Sequence, residues 1–160
     1  MPQITFASES SYGERCSVGE CPAPSRSKPI VLDGPSRIGK SQWAAQWFGA
    51  DDTLVVNCQD CVEPPLKHYA ENQQKHKAII FEEANWNLVY KNNMLLQSTN
   101  NYIDLGRSAT NCHHYRVRVF CVPMFILGNE FYCGIEQHAA AKHYVERNIE
   151  FWPVKDPLFA

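Results

Sequence analysis

Short apolar runs alternate along the chain with polar or helix-spaced stretches. "PIVLD" is the first run and predicts a buried strand ending at Asp33. Beyond a glycine-containing turn, Trp43, Ala44, Trp47 and Phe48 recur at helical spacing from about Lys40, and Gly49 suits a C-cap. "TLVVN", Thr53 to Asn57, predicts a second buried strand, "CQDCVEPPL" a loop and "KHYAENQQKHK" a polar helix or turn. "AIIFEE", Ala78 to Glu83, is a third buried strand that ends in two acids. "WNLVYKNNMLLQSTN" reads as one helix, and "YRVRVFC" alternates as an exposed or edge strand does. "PMFILGN" predicts a fourth apolar strand ending at Asn129, "IEQHAAAKHYVERN" a helix, and "FWPVKDPLF" an irregular segment. Fully apolar strands alternating with helices imply an α/β domain with a mainly parallel central sheet flanked by helices. Residues 1–28 end in the Pro- and Ser-rich "CPAPSRSKP" and read as a flexible tail or linker, leaving 29–160 as the domain.

A chain of 160 residues accommodates one domain with a real core. Its formal net charge of −2 supplies no global field for nucleic acid, so any such contact is a local patch. No apolar run approaches the roughly 20 residues of a membrane helix. The start has no apolar signal-peptide core, so the chain is expected to be intracellular, nuclear or cytoplasmic, and neither secreted nor in a membrane. Seven cysteines, an odd number at irregular spacings, read as free thiols of a reducing compartment. Cys58 and Cys61 have zinc-ligand spacing, but no second pair follows, and Cys112, His113 and His114 lie far along the chain. No zinc site is expected. His68, His76, His138 and His143 are expected at the surface.

The segment Gly34, Pro35, Ser36, Arg37, Ile38, Gly39, Lys40, Ser41 matches G-x-x-x-x-G-K-[ST] at every fixed position, between a predicted strand and a predicted helix. Glycines let the backbone curl so that its N–H groups face a phosphate. A lysine at position 40 supplies a point charge to the β and γ phosphates, the Ser41 hydroxyl suits Mg²⁺, and the helix start adds its positive end. Hydrolysis also needs a carboxylate near the metal and a group to activate water. Glu82 and Glu83, at the tip of an apolar strand, fit those two roles: Glu82 on the metal, Glu83 as general base. Asn129, at the tip of another apolar strand, suits the positioning of that water, although Gly-Asn is also a common turn pair.

A phosphate loop, an apolar strand ending in two acids and an apolar strand ending in Asn, in that order, resemble the superfamily 3 helicase domain of viral replication-associated (Rep) proteins. The resemblance spans roughly Pro29 to Phe131. Walker A is then Gly34 to Ser41, Walker B is "IIFEE", and motif C is "FILGN" with Asn129 as sensor. It implies an AAA+-like P-loop NTPase that hydrolyses ATP with Mg²⁺, with Lys40, Glu82, Glu83 and Asn129 as the working residues. It also implies a homo-oligomeric ring, a hexamer, that moves along single-stranded DNA or RNA. The segment before motif C would contact the strand through Arg107, His113, His114, Tyr115 and Arg116, with Arg118 beside them, since cations suit phosphates and aromatics suit bases. The family usually has Asp, or Asp then Glu, where this chain has Glu82 and Glu83. Arg147 is the nearest candidate for the arginine finger, and the tail is too short for the nicking domain of viral Rep proteins. "GPSRIGKS" also resembles the phosphate loop of guanylate kinase, which makes a small nucleotide kinase the alternative. A nucleotide-holding module with poor hydrolysis is a third reading.

Overall fold

The computed structural model describes residues 28–72, 75–98, 100–107, 110, 112–136 and 139–159. Residues 1–27 of the proposed tail, with Cys16 and Cys21, and His138 therefore lie outside the described residues. Five strands form one sheet: β1 (Ile30–Asp33), β2 (Thr53–Asn57), β3 (Ala78–Glu82), β6 (Met124–Gly128) and β7 (Glu150–Pro153). Between β3 and β6, β4 (Ile103–Leu105) and β5 (Tyr115–Val117) pair antiparallel as a separate small sheet. The five-stranded sheet is parallel throughout and ordered β2-β3-β6-β1-β7. Parallel strands carry all their C-terminal ends to one edge, so Asp33, Glu82 and Gly128 end side by side.

The helices are α1 (Lys40–Phe48), α2 (Lys67–Glu71), α3 (Trp86–Lys91), α4 (Asn93–Leu96), α5 (Phe131–Glu136) and α6 (Ala139–Asn148). Strand alternation sends Ile30, Leu32, Ile80, Phe125 and Leu127 to one face, where Ala44, Trp43 and Phe48 of α1 cover them. Val31, Ile79, Phe81, Met124 and Ile126 go to the other face and pack under α3, α4 and Phe131. Both faces of the inner strands are thus buried, which explains their unbroken apolar runs. Each fully buried side chain of this size stabilises by about 2 kcal/mol.

Right-handed crossovers dictate which helix lies on which face. The chain leaves β1 for the far edge through α1, then works back through β3 and β6 and steps over β1 to β7. The departures from the neighbouring strands β1 and β6 therefore go to opposite faces. Ligands of open parallel sheets bind in the crevice outside such a switch point.

Four expectations need correction. "FWPVKDPLF" is not irregular throughout: Glu150–Pro153 pairs with β1 as an edge strand. The stretch after Trp86 is two short helices, because Asn92 turns its Nδ2 to the carbonyls of Val62 and Leu88 at the joint. "TLVVN" is an edge strand with Val55 exposed, and Trp47 of α1 is 42 % exposed, stacked on Trp43 with ring centroids 5.5 Å apart. "YRVRVFC" is strand only over Tyr115–Val117.

Candidate nucleotide site

The loop between β1 and α1 lies at the switch point. Gly39 has φ 86°, a left-handed conformation that costs glycine nothing, and its carbonyl accepts the Trp43 N–H at 2.9 Å as α1 begins. Gly34 has no room for a side chain, since a Cβ there would stand 2.0 Å from the Val154 carbonyl oxygen. Gly34→Ala is accordingly expected to push the chain after β7 off the loop and lower stability by about 1–3 kcal/mol. Urea denaturation checks this, and an unchanged midpoint would refute the contact.

Lys40 is 8 % exposed, and its ammonium is held from three sides. Nζ donates to the Gly34 carbonyl at 2.5 Å, the Pro35 carbonyl at 2.9 Å and Asn129 Oδ1 at 2.9 Å. Burial pushes its pKa down, and the nearby Asp33 and then Glu83 carboxylates oppose that. Asn129 uses its other end as well, donating from Nδ2 to Glu83 Oε2 at 3.0 Å. One chain of hydrogen bonds therefore joins the loop lysine, the tip of β6 and the tip of β3.

Glu83 sits at φ 52° and Arg37 at φ 65°, left-handed conformations unusual for residues with a Cβ. Asp60, Ser98 and Cys121 share that conformation elsewhere in the chain. Glu82 ends β3 in register with Asn57, on the strand face it shares with Ile80, toward α1. Ser41, in the first turn of α1, is exposed. Sequence reasoning missed Asp33, whose Oδ1 accepts the Phe131 N–H at 2.8 Å and so ties the start of α5 to the end of β1. An acid closing an apolar strand was the available signal, the same one that singled out Glu82.

The strand-contact candidates gather around a residue that sequence reasoning also missed. Asp104 faces Arg116 across the β4–β5 pair. Its carboxylate accepts Arg116 Nε at 2.9 Å and Arg107 Nη2 at 3.1 Å, and lies 3.0 Å from His114 Nε2. Arg107 above all holds the Asp104 carboxyl below its usual range, with Arg116 and His114 adding to that. His113 is exposed. Tyr115 turns inward: its hydroxyl accepts the Leu66 N–H at 2.9 Å and donates to the Pro64 carbonyl at 3.4 Å. Burial raises its pKa. Arg118 donates to the Asn100 side chain, and its guanidinium carbon lies 5.5 Å from the Phe120 ring centre.

Cys58 is fully buried, and that burial, more than the neighbouring Cys61, pushes its thiol up to about 12. Among the described residues no group of three or more His, Cys, Asp or Glu side chains can hold a metal ion. His76 departs from its surface expectation, because both its ring nitrogens are buried without a hydrogen-bond partner among the described residues. No described helix is long and apolar enough to cross a membrane. Neither a protein-family model nor a curated protein matches the sequence.

Proposed function

We propose that the chain is a P-loop ATPase of the superfamily 3 helicase type, acting on single-stranded nucleic acid. The observation that carries this reading is the hydrogen-bonded chain Lys40–Asn129–Glu83, which joins three motifs separated by most of the domain's length. A surface lysine after a glycine turn would have no reason to be buried against a strand-tip asparagine. A left-handed loop glycine, a helix start and a desolvated cation together suit a polyanion.

The donor set fits Mg²⁺ brought in on a nucleotide. Magnesium is usually held by one or two protein groups plus substrate phosphates, not by an all-protein cage. Ser41 and Glu82 would hold it, and when bound it neutralises charge on the phosphates. The loop's backbone N–H groups orient the triphosphate. Lys40 exchanges its two carbonyl partners for phosphate oxygens while keeping Asn129. Asn129 and Glu83 hold a water in line with the γ phosphorus. As the water oxygen bonds to phosphorus, the bond from phosphorus to the ADP oxygen breaks, and Glu83 accepts the water proton. Asn129 contacts both Lys40 and Glu83, so it links phosphate binding to base position.

On the β4–β5 pair, Arg107 and Arg116 are 69 % and 68 % exposed at their side chains. Exposed ion pairs are worth about 0–1 kcal/mol, so both arginines exchange Asp104 for a nucleic-acid phosphate at little cost. Tyr115 contributes by anchoring this pair to the 64–66 segment. A ring of subunits would complete the site with a cation from a neighbour; Arg147, on α6, is exposed.

The test is ATP hydrolysis with and without single-stranded oligonucleotide, for wild type and Asp104→Asn. Oligonucleotide is expected to stimulate turnover. Asp104→Asn should bind it up to about fivefold more tightly, with a steeper salt dependence, because two guanidiniums lose a competing carboxylate. Turnover indifferent to oligonucleotide would refute the nucleic-acid part. Phosphate transfer to a nucleoside monophosphate would replace the motor with a kinase.

A further inference from the structure

We propose that residues 154–159 form the nucleoside wall of this site, with the Phe159 ring as the platform on which the base of a nucleoside triphosphate stacks. This rests on the nucleotide reading of the loop. The hydrogen-bonded chain from Lys40 runs toward β6 and then β3, so the γ phosphate and the water lie on that side of β1. A nucleoside triphosphate is a long ligand with its phosphates at one end. Its nucleoside end must then extend to the other side of β1, where β7 lies.

The continuation of β7 turns back over the loop there. Val154 N donates to the Asp33 carbonyl at 2.7 Å, and Leu158 N donates to the Ile38 carbonyl at 3.0 Å. The segment is thus fastened to the loop at its beginning and near its end. Phe159 stands directly against Gly39, with Cδ2 2.8 Å from the point a Cβ would occupy. The residue remains 38 % exposed. A partly exposed aromatic fixed beside the phosphate-facing glycine offers a π-face on the β7 side of the loop. Stacking of this kind needs no hydrogen-bond readout and is worth about a tenfold change in affinity or more per base.

The experiment measures binding of ATP and of inorganic tripolyphosphate, each with Mg²⁺, to the full chain and to Phe159→Ala and Phe159→Trp. Phe159→Ala is expected to weaken ATP about tenfold and leave tripolyphosphate within about twofold, and Phe159→Trp to restore ATP. Equal weakening of both ligands would overturn the assignment and reduce Phe159 to support for the loop. Tighter ATP binding in Phe159→Ala would also overturn it, since a flap over the loop behaves that way. Failure of the wild type to bind either ligand would overturn the phosphate-loop reading itself and this proposal with it.

Discussion

Lys40→Met is expected to remove the proposed ATP turnover, by a factor on the order of 10²–10³ or more, while leaving the fold intact. The first half follows from charge. Developing negative charge on transferred phosphate is stabilised by fixed cations and N–H groups, and losing one such donor from a dry site costs about that factor. The second half follows from burial. Lys40 is a desolvated cation whose pKa is pushed down by burial before the Asp33 and Glu83 carboxylates partly restore it. Holding a charge there costs folding free energy, and a methionine of similar length refills the volume without that cost. The carbonyls of Gly34 and Pro35 lose a donor, but Pro35 is exposed and Gly34 half-buried, so water replaces it. The thermal midpoint of Lys40→Met is therefore expected at or slightly above that of wild type. ATP turnover and calorimetry measured on one preparation decide the matter. Turnover near the wild-type level would remove Lys40 from the phosphate site. Inactivity with a collapsed midpoint would make it a structural lysine.

Glu83→Gln is the second large effect. Its amide oxygen still accepts from Asn129 Nδ2, so the hydrogen-bonded chain to Lys40 survives, but an amide cannot take the proton of an attacking water. ATP is expected to bind with nearly wild-type affinity and to persist unhydrolysed, with turnover down about 10²–10⁴-fold. Asn129→Ala separates the linked roles: it breaks the chain at its middle and should weaken both binding and turnover. Equilibrium binding of labelled ATP, followed by single-turnover hydrolysis, distinguishes the two variants. Unaltered turnover in Glu83→Gln would remove Glu83 from its role as base.

Two kinds of information account for what was readable in advance. The loop from Gly34 to Ser41 was legible as a turn between a strand and a helix because its signals are local: glycines, a lysine and a hydroxyl stand at fixed spacing along one turn. The inner strands were legible because burial on both faces removes every polar residue from them, as in Ile79, Ile80 and Phe81. The edges were not. β7 carries Glu150 and Pro153 and has no apolar alternation of its own, and it is a strand because β1 offers it an unpaired side. Proline is tolerated there because an edge strand need not donate from every residue. Tyr115 read as a stacking aromatic among cations. Its orientation depends on Leu66, 49 residues away, whose N–H needs an acceptor. Asp104 and Phe159 went unread for a similar reason: neither belongs to a local pattern, and each acquires meaning from what the fold sets beside it.

By itself, then, the sequence determined a parallel α/β domain and a glycine-bearing loop between a buried strand and a helix, since hydrophobic period and turn chemistry are properties of neighbouring residues. The tertiary structure alone decided that Lys40, Asn129 and Glu83 meet. That meeting follows from the order β2-β3-β6-β1-β7, which sets the last strand of three between its partners and turns long separations along the chain into contacts of 2.9 and 3.0 Å.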